Sequence, residues 1–342
     1  MEHHDSTGQT HQYRGIDAGD LIATIPHTLG FHPERSLVVI GLAPGTHHLI
    51  DVTARADLSI PADRPAVIAR LLAVLAQQPI TEVALIVIDS DGSPGTLPHR
   101  DLIVECSQQF RRAGVAVVQQ LWAPTTTGPG HWHCYEHGDC GGEIPDPRFT
   151  AVAVAAVRAG LVTFPTREDL AATLAPEPDD VLARRADLIA SQPDADDDET
   201  SQDRLRLVEA AVDQAMAGML PKSDHEFVRL ACALSDYTVR DTLLDLPDTE
   251  RRLAAERLWT CLLRGTPCPE RAEPAVMLAF SAYVRGDGVV AALALDHARA
   301  ANRDHLLTQL LGRALLLGIR HDRMRRVAQE AAEHARQRLP EH

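Results

Sequence analysis

The sequence predicts an α/β domain followed by an all-α domain, and three observations carry that prediction. In the first half, short β-branched runs alternate with stretches whose apolar residues recur at helical spacing. From about residue 202 only the helical period remains. Between them, residues 191–200 form a proline-containing acidic run with nothing to bury. A chain of 342 residues is also long for a single core. The expected organisation is a flexible tail over residues 1–13, an α/β domain over 14–176, an acidic linker with room for a short helix over 177–201, and a helical domain over 202–339. The sheet is expected to be mixed and mostly parallel, with helices on both faces.

In the α/β domain, Asp17 or Asp20 can cap a first helix with Leu21, Ile22 and Ile25 on one face. Pro26 is expected to limit that helix to about two turns. Gly30 stands where a helix C′ residue takes positive φ, Phe31 can pack back on the last turn, and Pro33 forbids continuation. Ser36 then opens the apolar strand Leu37, Val38, Val39 and Ile40. Residues 48–58 alternate as a strand, with Val52, Ala54, Ala56 and Leu58 on one face and Thr53, Arg55 and Asp57 on the other. Pro44, Gly45 and Thr46 favour a hairpin with the strand before it. Pro61 and Pro65 introduce a helix striped by Val67, Ile68, Leu71, Leu72 and Leu75. Residues 82–89 read as a strand buried on both faces, followed by a polar loop, a helix to about Ala113 and a strand over 115–122. Strand–helix–strand spacing of this kind means parallel crossovers. A small-residue helix over 149–160 and a helix starting near Thr166 complete the domain.

The helical domain opens with the stripe Leu205, Val208, Val212 and Met216. Ser223 and Glu226 read as a capping box before Phe227, Leu230 and Leu234. Thr249 can cap a helix carrying Leu253, Leu258 and Leu262, in which Trp259 belongs to the core. Around the Gly286-Asp287 turn, Ala291 and Ala298 resemble the second half of a tetratricopeptide hairpin, although the pattern does not recur. The last helix carries Arg323, Arg325, Arg326, Arg336 and Arg338 as a local basic patch.

Composition excludes several functions. Lys+Arg 33 against Asp+Glu 48 leaves a formal charge of −15, which opposes general nucleic-acid or anionic-membrane binding. Six cysteines, thinly spread and without a secretory apolar segment before them, suit reduced thiols in the cytoplasm. No apolar run approaches the roughly 20 residues of a membrane helix.

Ligands of open α/β sheets collect beyond the carboxyl ends of strands, where Asp89, Asp91 and residues 125–130 fall. No G-x-G-x-x-G follows a strand, and there is no Walker A loop or G-x-S-x-G elbow, so the common nucleotide and hydrolase readings lose their support. The candidate ligand site is His32, Arg35, Ser36, Arg55 and Asp57, polar groups at one end of the predicted sheet. A second cluster lies in residues 131–142, where Cys134, His137 and Cys140 offer zinc ligands that need a fourth from elsewhere. The alternative there is a reduced loop with buried thiols.

Residues 25–41, the run Arg55-Ala56-Asp57-Leu58, the cysteine cluster, Val239-Arg240-Asp241-Thr242-Leu243 and the Arg285-Gly286-Asp287-Gly288 turn together resemble an actinobacterial family called domain of unknown function 4192. The likeness spans the chain apart from its tails and acidic linker, and the family implies no activity. It often shows a Cys-Cys pair where this chain has Cys140-Gly141. The expectation is therefore a cytoplasmic, non-catalytic module for a small ligand or peptide, with the helical domain as a surface for a protein partner. One alternative is a hydrolase or transferase at residues 29–36, with Ser36 as nucleophile or His32 as base oriented by Asp57, and Arg35 or Arg55 as an anion clamp. Another is a zinc-stabilised interaction protein.

Overall fold

The computed structural model describes residues 17–42, 50–58, 62–158, 160–192 and 199–339. The expected tail over 1–13, the turn at 44–46 and the centre of the acidic linker, residues 193–198, lie outside them. The chain divides into two compact units, Met1–Pro165 and Thr166–His342.

In the first unit, β1 (Ser36–Leu42), β2 (Ile50–Asp57), β3 (Glu82–Ile88), β4 (Ala116–Ala123), β5 (Gly130–Cys134) and β6 (Gly141–Ile144) form one mixed sheet in the order β2-β1-β3-β4-β5-β6. Among the described residues β3 and β4 are the only parallel neighbours; the other four pairings are antiparallel. This corrects the expectation of a mostly parallel sheet. A helical crossover sets the direction of the strand it reaches, not its neighbour. Here β2 and β3 run the same way, but β1 lies between them and antiparallel to both. The second source of the difference is the cysteine cluster, which belongs to the β5–β6 hairpin rather than to a loop alone.

Among the described residues four α-helices accompany the sheet: α1 (Ala18–Leu29), α2 (Arg64–Ala76), α3 (Arg100–Arg112) and α4 (Ala151–Arg158). Leu37, Val39, Val83, Leu85 and Val87 form one buried cluster with Ile68, Leu71 and Leu75 of α2 and Leu102, Ile103 and Phe110 of α3. The alternate residues Val38, Ile40, Ala84 and Ile86 are just as buried on the opposite face. There α1 lies against β2, β4, β5 and β6. Each fully buried side chain of this kind stabilises by about 1.5–3 kcal/mol, so both faces of β1 and β3 hold the unit together.

The first helix is longer than the sequence suggests. Asp17 caps it by accepting from the Gly19 amide at 2.8 Å, and Gly30 ends it with φ 79°. It runs straight through Pro26, which corrects the two-turn expectation. Burial of Leu21, Ile22, Ile25 and Leu29 offsets the missing backbone bond. The Thr24 and Thr28 hydroxyls add donors to the carbonyls of Leu21 and Ile25 in the turns around the proline. At its other end α1 comes so close to β6 that a Cβ on Gly19 would stand 2.1 Å from the Glu143 carbonyl oxygen. Gly19→Ala is therefore expected to destabilise the unit by about 2 kcal/mol, because a backbone atom cannot swing aside. An unchanged urea midpoint would show that α1 docks more loosely than this.

Among its described residues the second unit holds helices and no strand: α5 (Arg167–Ala172), α6 (Asp179–Ala190), α7 (Ser201–Met216), α8 (Asp224–Ser235), α9 (Tyr237–Thr242), α10 (Arg252–Gly265), α11 (Ala272–Arg285), α12 (Gly288–Ala301), α13 (Leu306–Leu316) and α14 (His321–Arg336). Ser223 and Glu226 form the expected capping box, and Thr166 with Asp169 and Thr200 with Asp203 form two more. Trp259 is fully buried, whereas Met216 is exposed and Ala215 takes the inward place. α11 and α12 meet at Gly286, whose φ of 90° ends the first of them, and the two pack against each other. Two of the terminal arginines are paired within the unit: Arg325 with Asp248 and Arg336 with Asp245. No helix among the described residues is long and apolar enough to cross a membrane.

Candidate functional site

The polar residues singled out in the sequence do gather at one end of the sheet. The amino end of β1 lies beside the carboxyl ends of β2 and β3, because Ser36 is in register with both Asp57 and Ile88. Ser36 is fully buried; its hydroxyl donates to the Glu34 carbonyl at 2.7 Å and accepts from Arg55 Nε at 2.8 Å. Arg55 also donates to Asp57 at 2.5 Å, and its guanidinium lies 5.7 Å from the centre of the Phe31 ring. Ser36, Arg55 and Asp57 thus form one hydrogen-bonded chain.

The other two candidates turn elsewhere. Arg35 adopts φ 42°, a conformation that costs a non-glycine residue about 1 kcal/mol or more. Its carbonyl accepts from the Leu58 amide at 2.9 Å, and its exposed guanidinium pairs with Asp91 at 3.2 Å. His32 Nδ1 lies 3.1 Å from the hydroxyl of buried Thr126, while the His32 amide donates to the Phe164 carbonyl at 3.1 Å. Burial holds the His32 pKa below its ordinary value; a hydrogen bond to the Thr126 backbone opposes this and nearby His27 adds to the lowering.

A histidine whose folded pKa is depressed adds stability that is complete above its unfolded pKa, about 6.5, and is lost as pH falls below it. The wild-type protein should therefore lose more thermal stability than His32→Gln between about pH 7.5 and about pH 5.5. Parallel losses in melting temperature would mean that His32 is as easily protonated folded as unfolded.

Asp89 and Asp91, which the sequence places beyond the carboxyl end of a strand, complete the region together with His99, which it does not single out. Asp89, its side chain almost inaccessible, accepts from the Asp91 amide at 3.3 Å and pairs with His99 Nε2 at 2.7 Å. His99 precedes α3 with φ 54°, the second non-glycine residue of positive φ beside Arg35. The signal for this pair was the position of Asp89 after β3; His99 lies ten residues on, and only the tertiary path brings it back.

Cys134, His137 and Cys140 lie on and between β5 and β6. The ligand atoms of Cys134, Glu136 and His137 fall within 4.8 Å of one another, so the structure adds Glu136 to the cluster. An open groove over the same hairpin, about 410 Å³, is lined by His131, His133, Asp139 and Glu143 together with Pro94 and three glycines. His133 stacks on Trp122, with ring centroids 5.9 Å apart.

Residues 19–322 match a family model described as a domain of unknown function (DUF4192). No curated protein and no solved structure matches the chain.

Proposed function

The chain belongs to the domain of unknown function (DUF4192) family, which carries no activity with it, and from that premise we propose that its first unit binds a small anionic ligand at the sheet end around Arg35 and Arg55. The observation that carries the reading is the backbone of Arg35. Strain at a non-glycine residue persists where the surroundings enforce it, and here it directs an exposed guanidinium over the end of β3 beside Asp91. The binding role is read as non-catalytic because the Ser36 hydroxyl already donates to a backbone carbonyl and takes a bond from Arg55, a donor rather than a base.

Native mass spectrometry of the purified protein should show a co-purifying small molecule that is lost from an Arg35→Ala, Arg55→Ala double variant. The same species in both proteins would remove the site. Strain gives a separate expectation: Arg35→Gly should be more stable than Arg35→Ala by about 1 kcal/mol, since both lack the guanidinium and only glycine relieves the φ. Equal urea midpoints would mean that the turn is unstrained.

A catalytic reading has one specific support, the Asp89–His99 pair, in which a buried carboxylate orients an imidazole. An esterase or phosphoesterase activity of the wild-type chain should then fall at least about a hundredfold in His99→Gln. Activity that survives that change rules this reading out.

For the second unit we read a surface for a protein partner, supported by Leu306 and Leu310 of α13 and by Leu317 just beyond it, all exposed. The α11–α12 pair is read as resembling a tetratricopeptide hairpin. A photo-crosslinker at position 306 in cells should give a discrete adduct that Leu310→Glu abolishes; no adduct ends the partner reading. Six unpaired cysteines support a reducing compartment such as the cytoplasm.

A further inference from the structure

The β5–β6 hairpin brings four metal-ligand side chains to one turn. Cys134 ends β5, Cys140 precedes β6, and Glu136 and His137 lie between them. Two backbone bonds close the turn, Cys134 N–H to the Cys140 carbonyl at 3.0 Å and Cys140 N–H to the His137 carbonyl at 3.2 Å. The ligand atoms of Cys134, Glu136 and His137 already lie within 4.8 Å of one another. Bond lengths to tetrahedral zinc require donors about 3.3–3.8 Å apart, so these three need a contraction of roughly an ångström, and the Cys140 sulfur, which lies outside that group, has to swing in as the fourth.

A second observation concerns the Cys134 sulfur. It accepts from the Glu136 amide at 3.3 Å, and the Cys140 thiol donates to it as well. Both contacts come from within the same turn and hold the Cys134 sulfur beside Glu136 and Cys140. Glu136 has outer partners too: one of its oxygens accepts from Gln120 Nε2 at 2.6 Å and lies 3.8 Å from Arg111. Metal-bound carboxylates are held in this manner by outer-shell donors.

We propose that this hairpin is a structural zinc site, with Cys134, Glu136 and His137 as ligands and Cys140 as the fourth. The fourth ligand expected from elsewhere in the chain is then unnecessary, because Glu136 lies inside the same turn. Its role is structural: all four positions are filled by protein, and the ion ties β6 to β5 at the end of the sheet. Zinc rather than magnesium or calcium follows from the two sulfurs and the imidazole, since the harder ions take oxygen ligands. Burial and the neighbouring Cys134 hold the Cys140 pKa up at about 11, so zinc binding has to displace its proton.

The test uses the full-length protein purified without chelator. Elemental analysis is expected to give about one zinc per chain, and cobalt(II) added to the chelated protein should produce thiolate-to-metal charge-transfer absorption. That absorption should fall by about half in Cys140→Ser, and zinc affinity should fall at least about tenfold in Cys134→Ser and in Glu136→Gln. Cys106→Ser, which alters a buried thiol of α3, should change none of these readings. Wild-type protein that lacks zinc and gives no thiolate absorption with cobalt overturns the proposal. So does undiminished zinc affinity in Glu136→Gln, a variant that retains both thiols and tests the site even if Cys134→Ser fails to fold.

Discussion

Arg185→Ala is expected to destabilise the helical unit by about 3–5 kcal/mol, the largest effect of any single substitution considered. Arg185, on α6, is almost fully buried and its guanidinium has four partners. It donates to the Gly265 carbonyl at 2.6 Å, pairs with Asp224 at 2.8 Å and Glu177 at 3.0 Å, and lies 3.7 Å from the centre of the Phe227 ring. Truncation leaves a cavity against Phe227 and a carbonyl without its donor, and removes the cation from two carboxylates. Those carboxylates keep part of their water, with side-chain exposures of 26% for Asp224 and 30% for Glu177, so lost packing and the orphaned carbonyl account for most of the cost. Arg185→Met should recover part of the stability by refilling the space. An unfolding free energy from urea titration at pH 7 that falls by less than about 1 kcal/mol in Arg185→Ala would show that the network is replaceable by water.

The same substitution should change the acid side of the stability profile. Hydrogen bonding to Arg185, and to a lesser extent Arg184, holds the Asp224 carboxyl below its ordinary pKa. A carboxylate with a depressed folded pKa adds stability that is present above its unfolded value, about 3.9, and is lost as pH falls through the folded one. Without Arg185 that decline should be shallower.

Asp89→Ala is expected to cost the first unit about 2–4 kcal/mol. Its backbone is doubly anchored, the amide donating to the Ala123 carbonyl at 3.1 Å and the carbonyl accepting from Trp122 Nε1 at 2.9 Å. The side chain therefore stays at its post between the Asp91 amide and His99, and its removal leaves both without a partner. In a double-mutant cycle with His99→Ala, the two positions should couple by about 1–3 kcal/mol. Additive losses would reduce His99 to a bystander.

Much of this architecture was legible in the sequence because its signals are local. Strand alternation placed Arg55 and Asp57 together on one face of β2, and three-residue spacing placed the Ser223–Glu226 cap. Gly30 announced the end of α1 by its required φ, although Pro26 pointed to an earlier stop. The proline penalty is a local term, and the burial that outweighs it comes from strands distant in sequence. Likewise the crossovers told which strands run together, while the insertion of β1 between β2 and β3 left no local trace.

The candidate sites divide in the same way. By itself the sequence determined which residue types could do chemistry and on which elements they ride: the arginines and Ser36 around β1 and β2, and the thiols and imidazole of residues 131–142. Only the tertiary structure decided their partners. It set Arg55 on Ser36, turned His32 to Thr126 and Arg35 to Asp91, and returned His99 to Asp89. The reason is geometric. Period and propensity act over a few residues, whereas a hydrogen bond or a ligand set requires ångström placement of groups from separate segments, and only the packed sheet provides it.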